Sequence, residues 1–296
     1  MFGAILVGAV TAMRIISLAP SLTEDLYAIG AGPRVVAVDA YSDRPAAAKA
    51  LPRVGAMRTV NVESMLALHP DLVVGIPYQA PAMLQLSRIG ITTETEKTDT
   101  LADDFAAIER LGKLTGHERE ASQLLHSMRK RLAAAARVTA GLPAPRVLVL
   151  ISVQPIYTAG AGSFIDDLLP YAHVTNVTGS IHSAFPSVSA ETVERDNPDV
   201  IITTPGTRIP ANLPPWSRVR AVREHRIVTL NEADLFRAGP HVADVLEALV
   251  RAIAPYRSVR TGERPRDARG EEHGNAVYRV GRLATAASAP RRRRSG

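Results

Sequence analysis

The sequence predicts an α/β protein of two Rossmann-like lobes, each built on a parallel sheet, with one long helix joining them. Three observations carry this. Short β-branched runs such as residues 35–38 (VVAV) and 72–75 (LVVG) alternate with helical patterns, as buried strands of a parallel sheet do. Residues 100–138 are almost wholly helical in pattern. The third is an internal repeat: NVESMLALHPDLVVG and SAETVERDNPDVIIT align Glu63 with Glu191, Pro70 with Pro198 and Asp71 with Asp199, each pair 128 residues apart.

In chain order, residues 14–17 (RIIS) form the first strand. Ser21 is read as the N-cap of the helix that follows, with Glu24 completing a capping box, and Gly30 or Gly32 ends it. Residues 35–38 are the next strand, 60–68 a helix, 72–75 a strand and 89–93 a fourth strand. Leu101, Phe105, Ile108 and Leu111 form an apolar helical stripe; Gly112 and Gly116 are candidate interruptions, and Leu124, Leu125, Met128 and Leu132 resume it. The second segment, residues 118–138, would span ~30 Å at 1.5 Å per residue. After Gly141 and Pro145 the strand pattern returns at 146–151, followed by helices at 163–171 and 188–195, strands at 200–203 and 226–230, and a helix at 240–253. This divides the chain into a lobe at 14–115, a connecting helix at 116–140 and a second lobe at 141–256.

The flanks differ in character. Residues 1–13 carry a short apolar run ending in Val10-Thr11-Ala12, small residues of the kind a signal peptidase reads, but without a basic leading region. This reads as a partial secretory signal; the other reading is a leader before a start at Met13. Residues 257–296 hold 11 arginines against four acids, a net of +7, which leaves 24 basic and 25 acidic residues in 1–256. The pI of about 9.9 is therefore a property of the tail, expected to be disordered, and the folded part offers no nucleic-acid surface. No apolar run approaches the ~20 residues of a membrane span, and there is no cysteine for a disulfide, a thiolate metal site or a lipid anchor.

Catalytic patterns are missing: there is no G-x-S-x-G elbow, no phosphate-binding loop with its lysine, and no pair of histidines at zinc-site spacing. The protein is not expected to be an enzyme or to hold a metal through its own side chains. Gly160-Ala161-Gly162-Ser163 reads as a turn with Ser163 capping a helix. His69 is expected in a solvated turn and Trp216 in a structural helix, while His182 and His241 fall in candidate cleft loops. The placement of aromatics is more telling. Tyr41, Tyr78 and Tyr157 each follow a strand, and Phe185 and Phe236 fall in comparable loops of the second lobe. In open parallel sheets these loops line the ligand crevice. An aromatic-lined cleft between the lobes follows, with Asp234 and Arg237 as polar anchors.

Two stretches, RIISLAPSLTEDLYAIGAGPRVVAVDAYSDRP and NVESMLALHPDLVVG, resemble the ABC-importer substrate-binding proteins that have a single backbone helix, the helical-backbone metal-receptor class, and within it the cobalamin-binding branch. The likeness covers residues 14–254. It implies the class III periplasmic binding protein fold, no catalytic activity, a monomer and an extracytoplasmic location. Tyr41, Tyr78, Tyr157 and Phe185 match ring-contacting aromatics of that branch, and Arg237 matches a polar cleft residue. Glu63 and Glu191 match a pair of surface glutamates, one per lobe, that dock on the membrane permease. The resemblance implies as ligand a cobalamin or another bulky metal chelate, with no resident cofactor. A ferric siderophore or haem remains open because the cleft is poorer in tryptophan than the cobalamin branch. A cytoplasmic metallocofactor-handling protein on a related two-lobed fold is the other reading.

Overall fold

A computed structural model describes residues 13–231, 235 and 237–257, together with the backbone pairing of 277–278. The expected signal segment up to Ala12, the cleft candidates Asp234 and Phe236, and most of the basic tail lie outside the described residues.

The first lobe is built on a parallel sheet in the order β2-β1-β5-β6, from β1 (Ile15–Ser17), β2 (Val35–Val38), β5 (Leu72–Gly75) and β6 (Thr92–Thr95). Helix α1 (Pro20–Ala28) follows β1. It starts one residue before the expected cap: Ala19 is the N-cap, without a side-chain bond, and Pro20 opens the helix. Proline has its φ preset for that position, which leaves Ser21 and Glu24 inside the helix and not in a capping box. Gly30, at φ 92°, follows the helix as expected.

The segment expected to be one helix at 60–68 is divided. Val60 belongs to a small hairpin of β3 (Gly55–Ala56) and β4 (Thr59–Val60), and α2 spans only Val62–Leu66. A helix not expected from the sequence, α3 (Ala80–Arg88), occupies the stretch before β6; Ile89 caps it, so the strand begins at Thr92 and not at 89.

Two helices follow, α4 (Leu101–Thr115) and α5 (Glu118–Thr139). The break falls at Gly116, which is left-handed at φ 68°. Gly112 does not interrupt α4. It is there for packing, since a Cβ at that position would lie 2.6 Å from the Cβ of Ala121 in α5. At 22 residues α5 is ~33 Å long.

The second lobe repeats the plan with β7 (Arg146–Val153), β10 (Val200–Thr203) and β11 (Ile227–Leu230) side by side and parallel. It departs from an all-parallel sheet at β8 (Ile156–Thr158), which turns back antiparallel on the end of β7; β9 (Thr175–Asn176) pairs in parallel with the start of β7. Helices α6 (Phe164–Leu168), α7 (Ala190–Asp196), α8 (Arg220–Arg223) and α9 (Val242–Ile253) complete the lobe. Trp216 is buried beside this sheet in a short 3-10 turn, the structural place expected of it. Two residues of the expected disordered tail, Val277–Tyr278, pair with β11 as β12. Arg257, also assigned to the tail by composition, is buried. It donates to the carbonyls of Pro143 and His173, each at 3.0 Å, and to that of Ala172, so Arg257 belongs to the folded second lobe and not to the tail.

The 128-residue repeat is physical. Asn61 caps α2 by accepting from the Ser64 N–H at 2.9 Å, and Ser189, 128 residues on, caps α7 by accepting from Thr192 at 3.1 Å. His69 and Asn197 are the matching left-handed residues that follow each helix, at φ 46° and 37°. Asp71 then accepts from the Arg14 N–H at 2.6 Å, as Asp199 does from Arg146 at 3.0 Å. In each lobe one aspartate ties the start of the central strand to the start of its neighbour.

Candidate functional site

The loops at the carboxyl ends of both sheets carry the candidate rings. Tyr41 follows β2. Its N–H donates to Asp39 at 3.0 Å, and Asp39 also accepts from the hydroxyl of Ser42. Arg53 donates to the carbonyls of Asp39 and Ser42 at 2.8 and 2.7 Å. The loop is thus braced from below, and its tyrosine ring is left 55% exposed. Tyr78 follows β5 in a 3-10 turn (Pro77–Gln79). Buried Gln79 holds that turn, accepting from the Ile76 N–H and donating to the Met57 carbonyl, both at 2.7 Å. That second bond pins the tip of the β3–β4 hairpin under the turn, where the Arg58 guanidinium stacks 4.9 Å from the Tyr78 ring.

In the second lobe Tyr157 lies on β8. The segment around residue 185 runs antiparallel beside it, with Thr158 donating to Pro186 at 3.1 Å and Gly160 to Ala184 at 3.0 Å. Tyr157 and Ser187 are register partners, so Phe185 falls on the same face as a diagonal neighbour of Tyr157. Only glycine fits at 160, since a Cβ there would stand 2.5 Å from the Ser183 carbonyl oxygen and 2.8 Å from that of Ile181. Ser163 caps α6, accepting from Asp166 at 3.3 Å, as the turn reading expected.

The four rings of Tyr41, Tyr78, Tyr157 and Phe185 therefore sit on rigid backbone while standing 40–55% open. Exposed aromatic area on braced loops is the signature of a surface that meets a partner. His69 is exposed in its turn, as expected. His182 is exposed beside Ala161. Among the described residues no group of three or more His, Asp or Glu side chains is arranged to hold a metal ion.

Arg237 occupies the junction of the lobes. It donates to Asp43 at 2.6 Å, to Glu24 at 3.3 Å and to the carbonyl of Tyr41 at 3.1 Å, all in the first lobe. His241 lies 3.3 Å from Glu24 and 3.3 Å from Asp244, and Arg131 of α5 pairs with Asp244 and, at 2.8 Å, with Glu247. One charged chain thus runs from α1 through the second lobe to the connecting helix. Burial would raise the Asp43 carboxyl, but the hydrogen bond and charge of Arg237 hold it below the usual range. Burial raises Glu24, and the bond to Asp244 with the charge of Glu24 raises His241.

Sequence reasoning missed the acids behind this junction. Asp25 of α1 and Asp104 of α4 are fully buried; no side chain pairs with either carboxyl, and only the backbone N–H of Gly239 faces Asp104. Burial pushes both up, Asp25 well above the ordinary range and Asp104 to about 7, and mutual repulsion adds to the rise at Asp25. The signal available was only that α1 carries two acids between core residues Leu22 and Leu26.

Glu63 and Glu191 are exposed, each the second residue of its helix, behind the equivalent caps Asn61 and Ser189. They are equivalent positions of the two lobes.

The family described as periplasmic binding protein matches residues 15–233. The chain is 32% identical over 253 residues to YvrC, an ABC transporter substrate-binding lipoprotein of Bacillus subtilis, covering 82% of this chain and 80% of the relative. It is 32% identical over 242 residues to the vitamin B12-binding protein of Vibrio cholerae, covering 80% and 87%. Among solved structures, the periplasmic vitamin B12 binding protein BtuF of Vibrio cholerae superposes with a TM-score of 0.72 at 30% identity, over 83% of this chain and 98% of that one. A periplasmic haem binding protein from Pseudomonas aeruginosa superposes with a TM-score of 0.69 at 28% identity, over 83% and 93%.

Proposed function

This chain belongs to the periplasmic binding protein family, the substrate-binding proteins of ABC transporters, and from that premise we infer that its interlobe cleft takes up a cobalamin for delivery to a membrane permease. Family membership makes it a binding protein and not an enzyme, working outside the cytoplasmic membrane. The observation that carries the ligand reading is the set of four open aromatic rings, two per lobe, at the carboxyl ends of the sheets. Flat rings on both sides suit a large, partly apolar, planar ligand clasped between the lobes. The likeness to vitamin B12 binders supports a corrin ahead of other bulky chelates. Tyr41, Tyr78, Tyr157 and Phe185 would contact it, with Arg237 as the polar group at the lobe junction.

Haem is the second reading, favoured by the likeness to the Pseudomonas haem binder. Titrating the purified protein with cyanocobalamin, ferric haem and a ferric siderophore, followed by ligand absorbance and tyrosine fluorescence, separates the readings. Saturable binding of cyanocobalamin alone is expected, and Tyr41→Ala and Tyr78→Ala should each weaken it about tenfold, the loss of one stacked ring. Tight haem binding with no response to cyanocobalamin would overturn the corrin reading.

Delivery is assigned to Glu63 and Glu191. Two exposed acids at equivalent positions of the two lobes form a two-point contact that can set the register of the protein on a basic permease surface.

A further inference from the structure

We propose that Arg237 is a positioning residue, a strap from the second lobe that fixes the Tyr41 loop across the cleft mouth. The inference rests on the reading that the aromatic cleft is the ligand site. Both terminal nitrogens of Arg237 are committed to the first lobe: one to Asp43 and Glu24, the other to the main-chain carbonyl of Tyr41 itself. A guanidinium is a rigid planar fork, so three acceptors spread over a loop and a helix define the placement of that loop closely. The side chain is four-fifths buried and Glu24 almost wholly so, which strengthens that bond relative to a surface pair. The root of the strap is equally fixed. Four residues on, His241 meets Glu24 and Asp244, and Asp244 is held by Arg131 of the connecting helix.

The main chain at Tyr41 is held from two sides as a result. Asp39, Ser42 and Arg53 brace its loop from within the first lobe, and Arg237 reaches it from the second. The placement of a ligand-facing ring in one lobe then depends on where the other lobe stands. Arg237 sets affinity through Tyr41 and not by a contact of its own.

The test is a double-mutant cycle in the full chain, read by cyanocobalamin titration and by amide hydrogen exchange of the ligand-free protein. Arg237→Ala and Tyr41→Ala should each weaken binding about tenfold, and the double variant should be no weaker than the worse single one. Arg237→Ala should also speed exchange at 39–43 without changing exchange in β7 or β10. Arg237→Lys, which keeps the charge and loses the fork, should resemble Arg237→Ala in exchange while guarding against a folding defect. Multiplying losses in the cycle, or unchanged exchange at 39–43, would overturn the proposal. If Tyr41→Ala and Tyr78→Ala both leave binding intact, the cleft reading fails; the exchange result still decides whether the strap exists.

Discussion

Asp25 and Asp104 show what a single side chain costs when the fold buries it without a side-chain partner. A buried carboxylate without a cation beside it is held far more easily as the neutral acid; burial raises both groups, and at Asp104 it outweighs the backbone N–H of Gly239. The consequence for stability has a definite sign. With Asp104 at about 7 in the folded chain against 3.8 as its ordinary value, the folded state binds more protons than the unfolded one between those values. Stability falls as pH rises through that window. Asp25 acts in the same direction, as does His241, whose raised value means its stabilisation is lost as pH rises through it. Urea unfolding is expected to show a lower midpoint at pH 8 than at pH 5. Asp104→Asn should raise the midpoint at pH 8, change it little at pH 5, and so flatten the dependence. An unchanged difference between the two pH values in that variant would rule this account out. Neither acid was legible as a buried charge in the sequence. Glu24 reads as the partner in a capping box, and what covers Asp25 arrives from α4 and from the loop at Gly239, more than 75 residues away.

At the scale of elements, local signals served well where one interaction within a few residues decides the outcome. The Ser163 cap, the left-handed Gly116 and the turn at Gly160 are of this kind. The α1 start went to Pro20 over Ser21 because a preset φ outweighs a serviceable cap, and α3 escaped notice because its surface face breaks up the apolar pattern. The α4–α5 corner illustrates a residue with a clear sequence signal and an ambiguous meaning. Gly112 reads as a helix breaker, yet α4 runs through it and its missing side chain lets α5 approach. Gly112→Leu is therefore expected to destabilise the protein by ~1–3 kcal/mol through overpacking, a change denaturant unfolding reads directly. A neutral result would mean the two helices part without cost.

For the whole molecule, the two-lobe plan predicts a separation of tasks. The four exposed rings stand at the carboxyl ends of the sheets, while Glu63 and Glu191 sit on exposed helix starts of α2 and α7. Reversing both glutamates to lysine should abolish uptake in cells and leave the cyanocobalamin affinity of the purified protein unchanged, since both are exposed on helix starts and not on the carboxyl-end loops that carry the rings. Loss of affinity in that double variant would refute the division of roles. A long connecting helix packed along α4 and tied to α9 through Arg131 resists bending, so closure on the ligand is expected to be modest.

The sequence by itself determined the lobes and most of their elements, because hydrophobic periodicity is a local property and a repeat at constant offset is visible without coordinates. It also pointed to exposed rings at one end of each sheet, since loops after parallel strands share one end of a sheet whatever the packing. Tertiary structure alone decided how the lobes meet. The cross-lobe fork of Arg237, the buried acids behind it and the antiparallel turn of β8 all depend on groups distant in sequence. Burial and ion pairing are set by what the chain brings together in space, and no local pattern of residues encodes that.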